Sequence, residues 1–310
     1  MAATRYAYLG PEGTFSEAAL RSIPEAGDAE RMPCVSVADS LDAVRRGDVV
    51  AALVPLENSV EGSVSETLDE LAVGDPLQIV REVQLQVSFA LLARAGTTLE
   101  GIQTVTTIPH AEAQVRGWLR STLPNARFIA ASSTADGARA VAAGEADAAV
   151  AAPLAAERYQ LDVLAADIAD TPGAVTRFVL VSRPVPPAPV TGADRTSVVA
   201  YISDDHPGAL LELLTELAVR GVNLTRIESR PTGVGLGRYC FSIDAEGHIA
   251  QERVGEAIAA MKRICADVRF LGSYPAAEKS PIKERQGTTD GDFTEAMAWV
   301  RRLREGTDAG

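Results

Sequence analysis

The chain has few of the residues from which metal centres, disulfide frameworks and histidine-based active sites are built. Its three cysteines, Cys34, Cys240 and Cys265, are far apart in a sequence of 310 residues, and no CxxC pair occurs. Its three histidines are equally scattered, with none at metal-ligand spacing from a cysteine. An odd number of widely spaced cysteines is typical of core thiols. We therefore expect no metal site and no catalytic triad centred on histidine.

Long apolar segments and an excess of basic residues are also missing. No apolar run approaches the roughly 20 residues that span a membrane, and the first residues lead into a predicted strand without a signal-peptide core. The sequence has 29 Lys and Arg against 42 Asp and Glu, and its net charge of −13 opposes binding to nucleic acid or anionic membranes. We expect a cytoplasmic protein without nucleic-acid or membrane partners.

Two stretches of the sequence share one pattern, offset by 97 positions up to the glycine and by 98 at the proline. Each has a serine that can cap a helix, an aspartate three residues later, a glycine stop, and an apolar strand that ends at a proline. The recurring residues are Ser36, Asp39, Gly47 and Pro55 in the first stretch and Ser133, Asp136, Gly144 and Pro153 in the second. The repeat predicts two α/β lobes with parallel-rich sheets, and a ligand site between them at the carboxyl ends of the strands.

A buried strand predicted over 175–182 carries two polar residues, Thr176 and Arg177. Burying such groups without partners is costly, so they either close a structural network or face a cleft. The strand follows the second repeat and is free to cross back to the first lobe. Because neighbouring side chains on a strand point to opposite faces, Thr176 in the cleft would turn Arg177 away. We favour a supporting or inter-lobe salt-bridge role for Arg177 over a substrate contact, unless a bulge intervenes.

The proline-rich stretch Pro184–Pro189 predicts a stiff linker and a domain boundary. Beyond it the elements run β-α-β-β-α-β, which is the ferredoxin-like pattern. The glycine-rich run Gly233–Gly237 lies between two strands and is predicted to be a hairpin loop, since a phosphate-binding loop would open a helix.

The predicted divisions are a catalytic domain over residues 1–183 (lobe 1 about 1–77 plus 175–183, lobe 2 about 78–174), a linker 184–194, a regulatory domain 195–275 and a polar tail 276–310. A short helix in the tail would place Phe293, Met297, Val300 and Leu303 on one face.

Five motifs together resemble a known family. Gly10–Ser16, Val54–Ser59 and Thr176–Phe178 resemble the signatures of prephenate dehydratase, and Gly208–Leu211 and Glu228–Pro231 are similar to the phenylalanine-binding motifs of its ACT domain. The resemblance implies an α/β fold, with a two-lobed catalytic domain like periplasmic binding proteins and a ferredoxin-like ACT domain. It implies conversion of prephenate to phenylpyruvate, water and carbon dioxide in phenylalanine biosynthesis, without a cofactor.

The resemblance also implies roles for individual residues. The catalytic motif is Thr176, Arg177 and Phe178, with Thr176 hydrogen-bonded to the leaving hydroxyl. Substrate-binding residues are Thr14, Ser16, Asn58, Ser59, Thr107, Gln114 and Ser133. Phenylalanine-binding residues are Gly208, Ala209, Leu210, Leu211, Glu228, Ser229, Arg230 and Pro231. The family often has Ser-His-Pro where this chain has Thr107-Ile108-Pro109, and several of the hydroxyls could equally be helix caps.

Two other functions remain open from the sequence. Arogenate dehydratase carries out the same chemistry on an aminated side chain, and no residue here separates the two substrates. A non-enzymatic two-lobed protein that binds small anions, with an amino-acid-sensing domain, is the alternative from another class. The missing export signal and the Thr176–Phe178 motif argue against it. We expect phenylalanine as an effector and a homodimer or homotetramer.

Overall fold

The computed structural model describes residues 4–203, 206–232, 239–278 and 285–307. Contacts divide the chain into two units, Met1–Glu70 with Val83–Val181, and Leu71–Glu82 with Ser182–Gly310. None of the described helices is long and apolar enough to cross a membrane. Among the same residues, no three His, Cys, Asp or Glu side chains are grouped as metal ligands.

Two sheets are centred on the first unit, and the first of them combines parallel and antiparallel strands. Its strands are β1 (Arg5–Leu9), β2 (Glu30–Cys34), β3 (Ala51–Asn58), β4 (Gly62–Ser63), β5 (Gln78–Gln86) and β11 (Val175–Ser182). They are ordered β2-β1-β3-β11-β5, and β4 pairs with the end of β3. The associated helices are α1 (Phe15–Arg21), α2 (Val37–Arg46) and α3 (Ser65–Ala72). β1 pairs in parallel with both β2 and β3.

The crossing strand lies where the sequence predicted it. β11 returns to the first sheet after the whole second sheet and is hydrogen-bonded between β3 and β5. The predicted start of the second lobe at residue 78 is wrong, because β5 belongs to the first sheet. Its sequence QIVREVQLQ is half-buried and does not indicate which sheet it joins. The second lobe therefore begins after β5.

The second sheet is covered by helices on both faces. Its strands are β6 (Ala90–Ala93), β7 (Thr104–Thr107), β8 (Arg127–Ala130), β9 (Ala148–Ala151) and β10 (Asp162–Ala165), in the order β10-β6-β9-β7-β8. Its helices are α4 (Pro109–Thr122), α5 (Thr134–Ala142) and α6 (Pro153–Tyr159). Leu91 and Val150 face the core beneath α4, whereas Leu92 and Ala149 face the core beneath α5 and α6. This alternation explains why the strands are apolar throughout.

The predicted internal repeat is confirmed by the topology. The run β1-α1-β2-α2-β3 and the run β7-α4-β8-α5-β9 give the same parallel order, β2-β1-β3 and β8-β7-β9. The two serine caps have almost the same backbone angles, φ −145° and ψ 166° at Ser36 and φ −148° and ψ 163° at Ser133. The prolines differ, because Pro153 begins α6 while Pro55 lies inside β3. β1 pairs with β3 only as far as Leu53, so no N–H is needed there from Pro55.

The sheet of the second unit is ferredoxin-like, as predicted. Its strands are β12 (Asp194–Ile202), β13 (Leu224–Pro231), β14 (Tyr239–Glu246) and β15 (Cys265–Pro275), and its helices are α7 (Ala209–Ala218) and α8 (Glu252–Ile264). The order β13-β14-β12-β15 is antiparallel throughout. Leu213 and Leu217 of α7 pack with Val254 and Met261 of α8 on one face. The predicted hairpin loop Gly233–Gly237 falls outside the described residues.

The short segment Leu71–Glu82 packs within the second unit. The Tyr201 hydroxyl donates to the Ala72 carbonyl oxygen, and the backbone of Ile79 passes close to Gly272. A Cβ at Gly272 would lie 2.2 Å from the Ile79 carbonyl oxygen, and φ there is +131°, so only glycine fits.

A helix also forms in the tail, as predicted. α9 (Asp290–Glu305) begins with a capping box in which Thr289 and Asp292 exchange hydrogen bonds, and it packs against α8. Phe293 and Val300 are half-buried, whereas Met297 is 51% exposed, so the predicted apolar face is only partly covered.

Candidate active site

A cleft of about 610 Å³ opens in the first unit, at the carboxyl ends of parallel strands from both sheets. One wall comes from the start of α1, the end of β3 and the start of β11. The other comes from the starts of α4 and α5. Of the predicted substrate and catalytic residues, those on the lining are Thr14, Ser16, Asn58, Gln114, Ser133, Thr176 and Phe178.

β11 presents alternate side chains to the cleft. Thr176 and Phe178 line it, and Arg177 between them does not, as strand geometry predicted. Arg177 is 6% exposed, and its Nη1 lies 3.9 Å from Glu57 Oε2. Glu57 belongs to β3, in the same sheet, so this ion pair does not bridge the lobes. Arg177 therefore supports the strand from the face opposite the cleft.

The side chain of Asn58 orients Thr176. Its Oδ1 accepts hydrogen bonds from the backbone N–H groups of Val60 (2.8 Å) and Glu61 (3.0 Å). Because those two donors fix the oxygen end of the amide, the Nδ2 end is directed at Thr176 and donates to its Oγ1 over 2.8 Å. The Thr176 oxygen thus acts as an acceptor toward Asn58, and its hydroxyl proton remains available to a substrate oxygen.

Hydroxyl groups surround the helix starts on both walls. Thr14 caps α1, accepting from the Glu17 N–H (3.3 Å) and donating to the Leu9 carbonyl (3.2 Å). Ser133 caps α5 by accepting from the Asp136 N–H over 2.9 Å. Both are caps, as the local pattern allowed, and both also line the cleft. A helix start combines free N–H groups with a positive dipole end, which favours anions.

Two predicted substrate-binding residues do not line the cleft, although the structure describes them both. Thr107 is 0% exposed, and its hydroxyl donates to the Val150 carbonyl over 2.7 Å. The expectation of a substrate contact is wrong for this residue, because its hydroxyl is used to tie β7 to β9. Ser59 is exposed outside the lining, and its hydroxyl accepts from the Val175 N–H over 2.9 Å. Ser59 thereby anchors the start of β11.

Aromatic rings form the apolar portion of the cleft. The rings of Phe15 and Phe89 meet edge to face, with centroids 5.5 Å apart and an interplanar angle of 89°. Phe178 also lines the cleft. These rings give the site a surface for an apolar six-membered ring beside the polar groups of Asn58 and Thr176.

Glu61 and His110 were missed by sequence reasoning. Glu61 Oε1 accepts from Gln114 Nε2 over 2.9 Å, and Glu61 Oε2 lies 3.1 Å from His110 Nδ1. All three residues line the cleft. Glu61 lies three residues after Asn58 in a polar stretch, and nothing in the sequence indicates its partners 49 and 53 positions later.

Glu17 lies three residues after the cap Thr14, and its carboxylate is used in other contacts. It is fully buried, accepts from the Gly13 N–H over 2.7 Å and is paired with Arg158 of α6. Burial raises the pKa of Glu17, but hydrogen bonds from Arg158 and the Gly13 N–H outweigh burial and hold the pKa below its usual value. The pair ties α1 of the first lobe to α6 of the second lobe.

Comparison with known proteins identifies the chain. The family model of prephenate dehydratase matches residues 6–186, more than half of the chain. The chain belongs to the prephenate dehydratase family. A model of the ACT domain matches residues 197–263, on the ferredoxin-like sheet. As in this family, the chain is a lyase.

Full-length relatives agree with this assignment. A prephenate dehydratase of Amycolatopsis methanolica is 51% identical over 308 residues, covering 99% of this chain and 100% of the relative. The structure of a prephenate dehydratase from Arthrobacter aurescens in complex with L-Phe is 50% identical, with a TM-score of 0.94, and covers 97% of this chain and 100% of that one. A structure of GqqA, described as a novel type of quorum quenching acylase, is 31% identical, with a TM-score of 0.80. The match covers 88% of this chain and 98% of that one. The fold thus occurs with more than one described activity.

Proposed function

We propose that the cleft binds prephenate between its walls and converts it to phenylpyruvate, with Thr176 at the reacting centre. The observation that carries this proposal is the Asn58 to Thr176 hydrogen bond beside an aromatic surface. The amide fixes the threonine oxygen and leaves its proton directed to the ligand. Neither Arg177, which is turned away, nor Thr107, which is buried, contacts the substrate in this proposal.

The reaction needs orientation and one proton. Prephenate is a dianion, and loss of carbon dioxide and of the ring hydroxyl as water consumes one proton and leaves the phenylpyruvate monoanion. Carbon–carbon cleavage supplies the electron pair that completes the aromatic ring while the carbon–oxygen bond breaks. A threonine hydroxyl is a weak acid, so Thr176 acts through a hydrogen bond to the departing oxygen that strengthens in the transition state, with the proton coming ultimately from solvent.

The two carboxylates of the substrate are held by groups at the helix starts. The N-terminal turns of α4 and α5 lie on the lining, with Gln114 and Ser133. Backbone N–H groups and the helix dipoles supply positive potential there without a lysine or arginine on the lining. The apolar ring rests against Phe15, Phe89 and Phe178.

Product analysis tests this function. Purified protein is incubated with prephenate, arogenate and an N-acylated amine in separate reactions, and phenylpyruvate, phenylalanine and released acid are measured. Turnover of prephenate with little turnover of arogenate is the expected result. Release of the carboxylic acid from the N-acylated amine, without formation of phenylpyruvate from prephenate, would instead favour an acylase like that described for GqqA. That outcome is disfavoured because the Thr176 oxygen accepts from the Asn58 amide, which cannot act as a base.

We also propose that L-phenylalanine is an effector bound by the ACT domain. β12 and β13 each pair antiparallel with β14, so they run in the same direction and their carboxyl ends lie at one end of the sheet. That end carries both motifs, Gly208–Leu211 after β12 and Glu228–Pro231 at the end of β13. The similar Arthrobacter aurescens protein was solved with L-Phe, which supports the assignment.

The effector site is proposed to form between paired domains of a homodimer or homotetramer in the cytoplasm. Leu211, three residues after Gly208, is 67% exposed, and pairing would bury it. We assign residues 1–183 to the catalytic domain, 184–194 to the linker and 195–275 to the regulatory domain. Calorimetry with phenylalanine tests the effector site, and sedimentation tests the oligomeric state. Absence of binding heat, or a monomer at the concentration of the assay, contradicts them.

A further inference from the structure

Glu61 joins the two walls of the cleft through its side chain. Its carboxylate accepts from Gln114 Nε2 over 2.9 Å and lies 3.1 Å from His110 Nδ1. Gln114 and His110 belong to α4, on the second wall, whereas Glu61 follows β3 on the first. The side chains of Glu61 and His110 are 38% and 76% exposed, so the contact lies at the solvent side of the cleft.

The backbone of Glu61 is tied to the reacting centre. Its N–H donates to Asn58 Oδ1 over 3.0 Å, and Asn58 Nδ2 donates to Thr176 Oγ1 over 2.8 Å. The position of Glu61 is thus fixed by the same amide that orients Thr176. Only its side chain is free to exchange partners.

The charges on the lining make this contact unusual. Within the lining, which falls wholly among the described residues, Glu61 is the single carboxylate and His110 the single basic side chain. A dianionic substrate needs hydrogen-bond donors, and Gln114 is one of the predicted substrate contacts. A protein carboxylate therefore already occupies the donors that a substrate carboxylate would use, and it adds a like charge to the site.

We propose that Glu61 is a specificity-determining residue that competes with the substrate inside the cleft. Its carboxylate holds Gln114 and His110 while the cleft is empty and yields them to a carboxylate of the ligand. Only a ligand that brings its own carboxylate to these donors replaces the contact that is lost. This inference rests on the proposed function, because it takes prephenate as the ligand.

Steady-state kinetics with prephenate test the competition. Wild type is compared with Glu61→Gln and Glu61→Ala, and with Glu66→Gln as the control, because Glu66 is exposed and lies outside the lining. We expect KM to fall about 3- to 10-fold in both Glu61 variants, as for loss of one exposed charged contact, with kcat within about twofold of wild type. The Glu66 variant should keep the wild-type KM, which excludes a long-range charge effect.

A KM that is unchanged or higher in both Glu61 variants would overturn the inference. A higher KM would mean that Glu61 closes the cleft over bound substrate. Equal melting temperatures confirm that each variant is folded, as expected for a half-exposed side chain. Absence of turnover by the wild type would instead refute the proposed function, so the two failures are distinguishable.

A second arm identifies the donors. In a Gln114→Leu and His110→Leu background, Glu61→Gln should no longer tighten prephenate binding, because the contested donors are absent. If that background is inactive, calorimetry with prephenate gives the affinity directly, since the ligand is not consumed. A 3- to 10-fold gain that persists in this background would show that Glu61 does not act through these donors.

Discussion

Asn58 Nδ2 donates a 2.8 Å hydrogen bond to Thr176 Oγ1, across 118 positions of sequence. The bond joins the end of β3 to the start of β11, two neighbouring strands of the first sheet. Asn58 is itself fixed by the N–H groups of Val60 and Glu61. The orientation of the threonine hydroxyl is therefore built into the sheet and its adjoining turn before any ligand binds.

Removing the hydroxyl of Thr176 should abolish most of the activity and leave the fold intact. Thr176→Val keeps the shape of the side chain and removes the proposed hydrogen bond to the departing oxygen. We expect kcat for prephenate to fall about 100- to 1000-fold. Thr176→Ser retains a hydroxyl beside Asn58 and is the matched control, for which most of the activity should remain. Loss of activity that is equal in the two variants would contradict this role.

Arg177 should contribute to stability more than its neighbour does. It is 6% exposed and turned to the face opposite the cleft, near Glu57. Arg177→Ala removes a buried side chain and its ion pair with the partly exposed Glu57, so we expect the unfolding free energy to fall by about 1–3 kcal/mol. Thermal unfolding of Arg177→Ala and Thr176→Ala measures the difference. The distinction fails if the two variants melt at the same temperature.

Local patterns predicted much of the fold. Ser36 and Ser133 each cap a helix because the serine, the aspartate three residues later and the glycine stop act within a single helix. The prolines show the limit of such patterns. Pro55 continues a strand and Pro153 begins a helix, and the difference depends on how far β1 pairs along β3. Pairing between distant strands is not encoded in the local sequence.

The site was predictable to a similar extent. The alternation of Thr176, Arg177 and Phe178 follows from strand geometry alone. The burial of Thr107 depends on the distant carbonyl of Val150. Likewise, the partners of Glu61 come from α4, and only the fold brings them together. Side-chain contacts between the two repeated lobes were therefore beyond sequence reasoning.

Acid should destabilise the protein partly through Glu17. The pKa of Glu17 in the folded protein lies below the ordinary glutamate value of about 4.3. Its contribution to the free energy of unfolding is therefore fully present when the pH is above that ordinary value, and it is lost as the pH falls through the folded pKa. Glu17→Gln removes this dependence. Urea unfolding at about pH 7 and pH 4 should show a smaller loss of stability on acidification for the variant than for wild type. Glu30→Gln, at an exposed pair, is the control and should follow wild type.

Arg195 should be required for the stability of the second unit. Its Nη1 lies 2.7 Å from Glu82 Oε2, and the Glu82 carboxylate, whose side chain is 0% exposed, also accepts from the Ala277 N–H over 2.6 Å. Arg195→Ala removes a cation from that buried carboxylate, and the expected cost is about 3 kcal/mol. Arg5→Ala breaks an ion pair of similar length, 2.8 Å, whose side chains are 41% and 51% exposed, and it should cost less than about 1 kcal/mol. Chemical denaturation of both variants measures the contrast. Similar losses would mean that burial does not set the strength of the Arg195 to Glu82 pair.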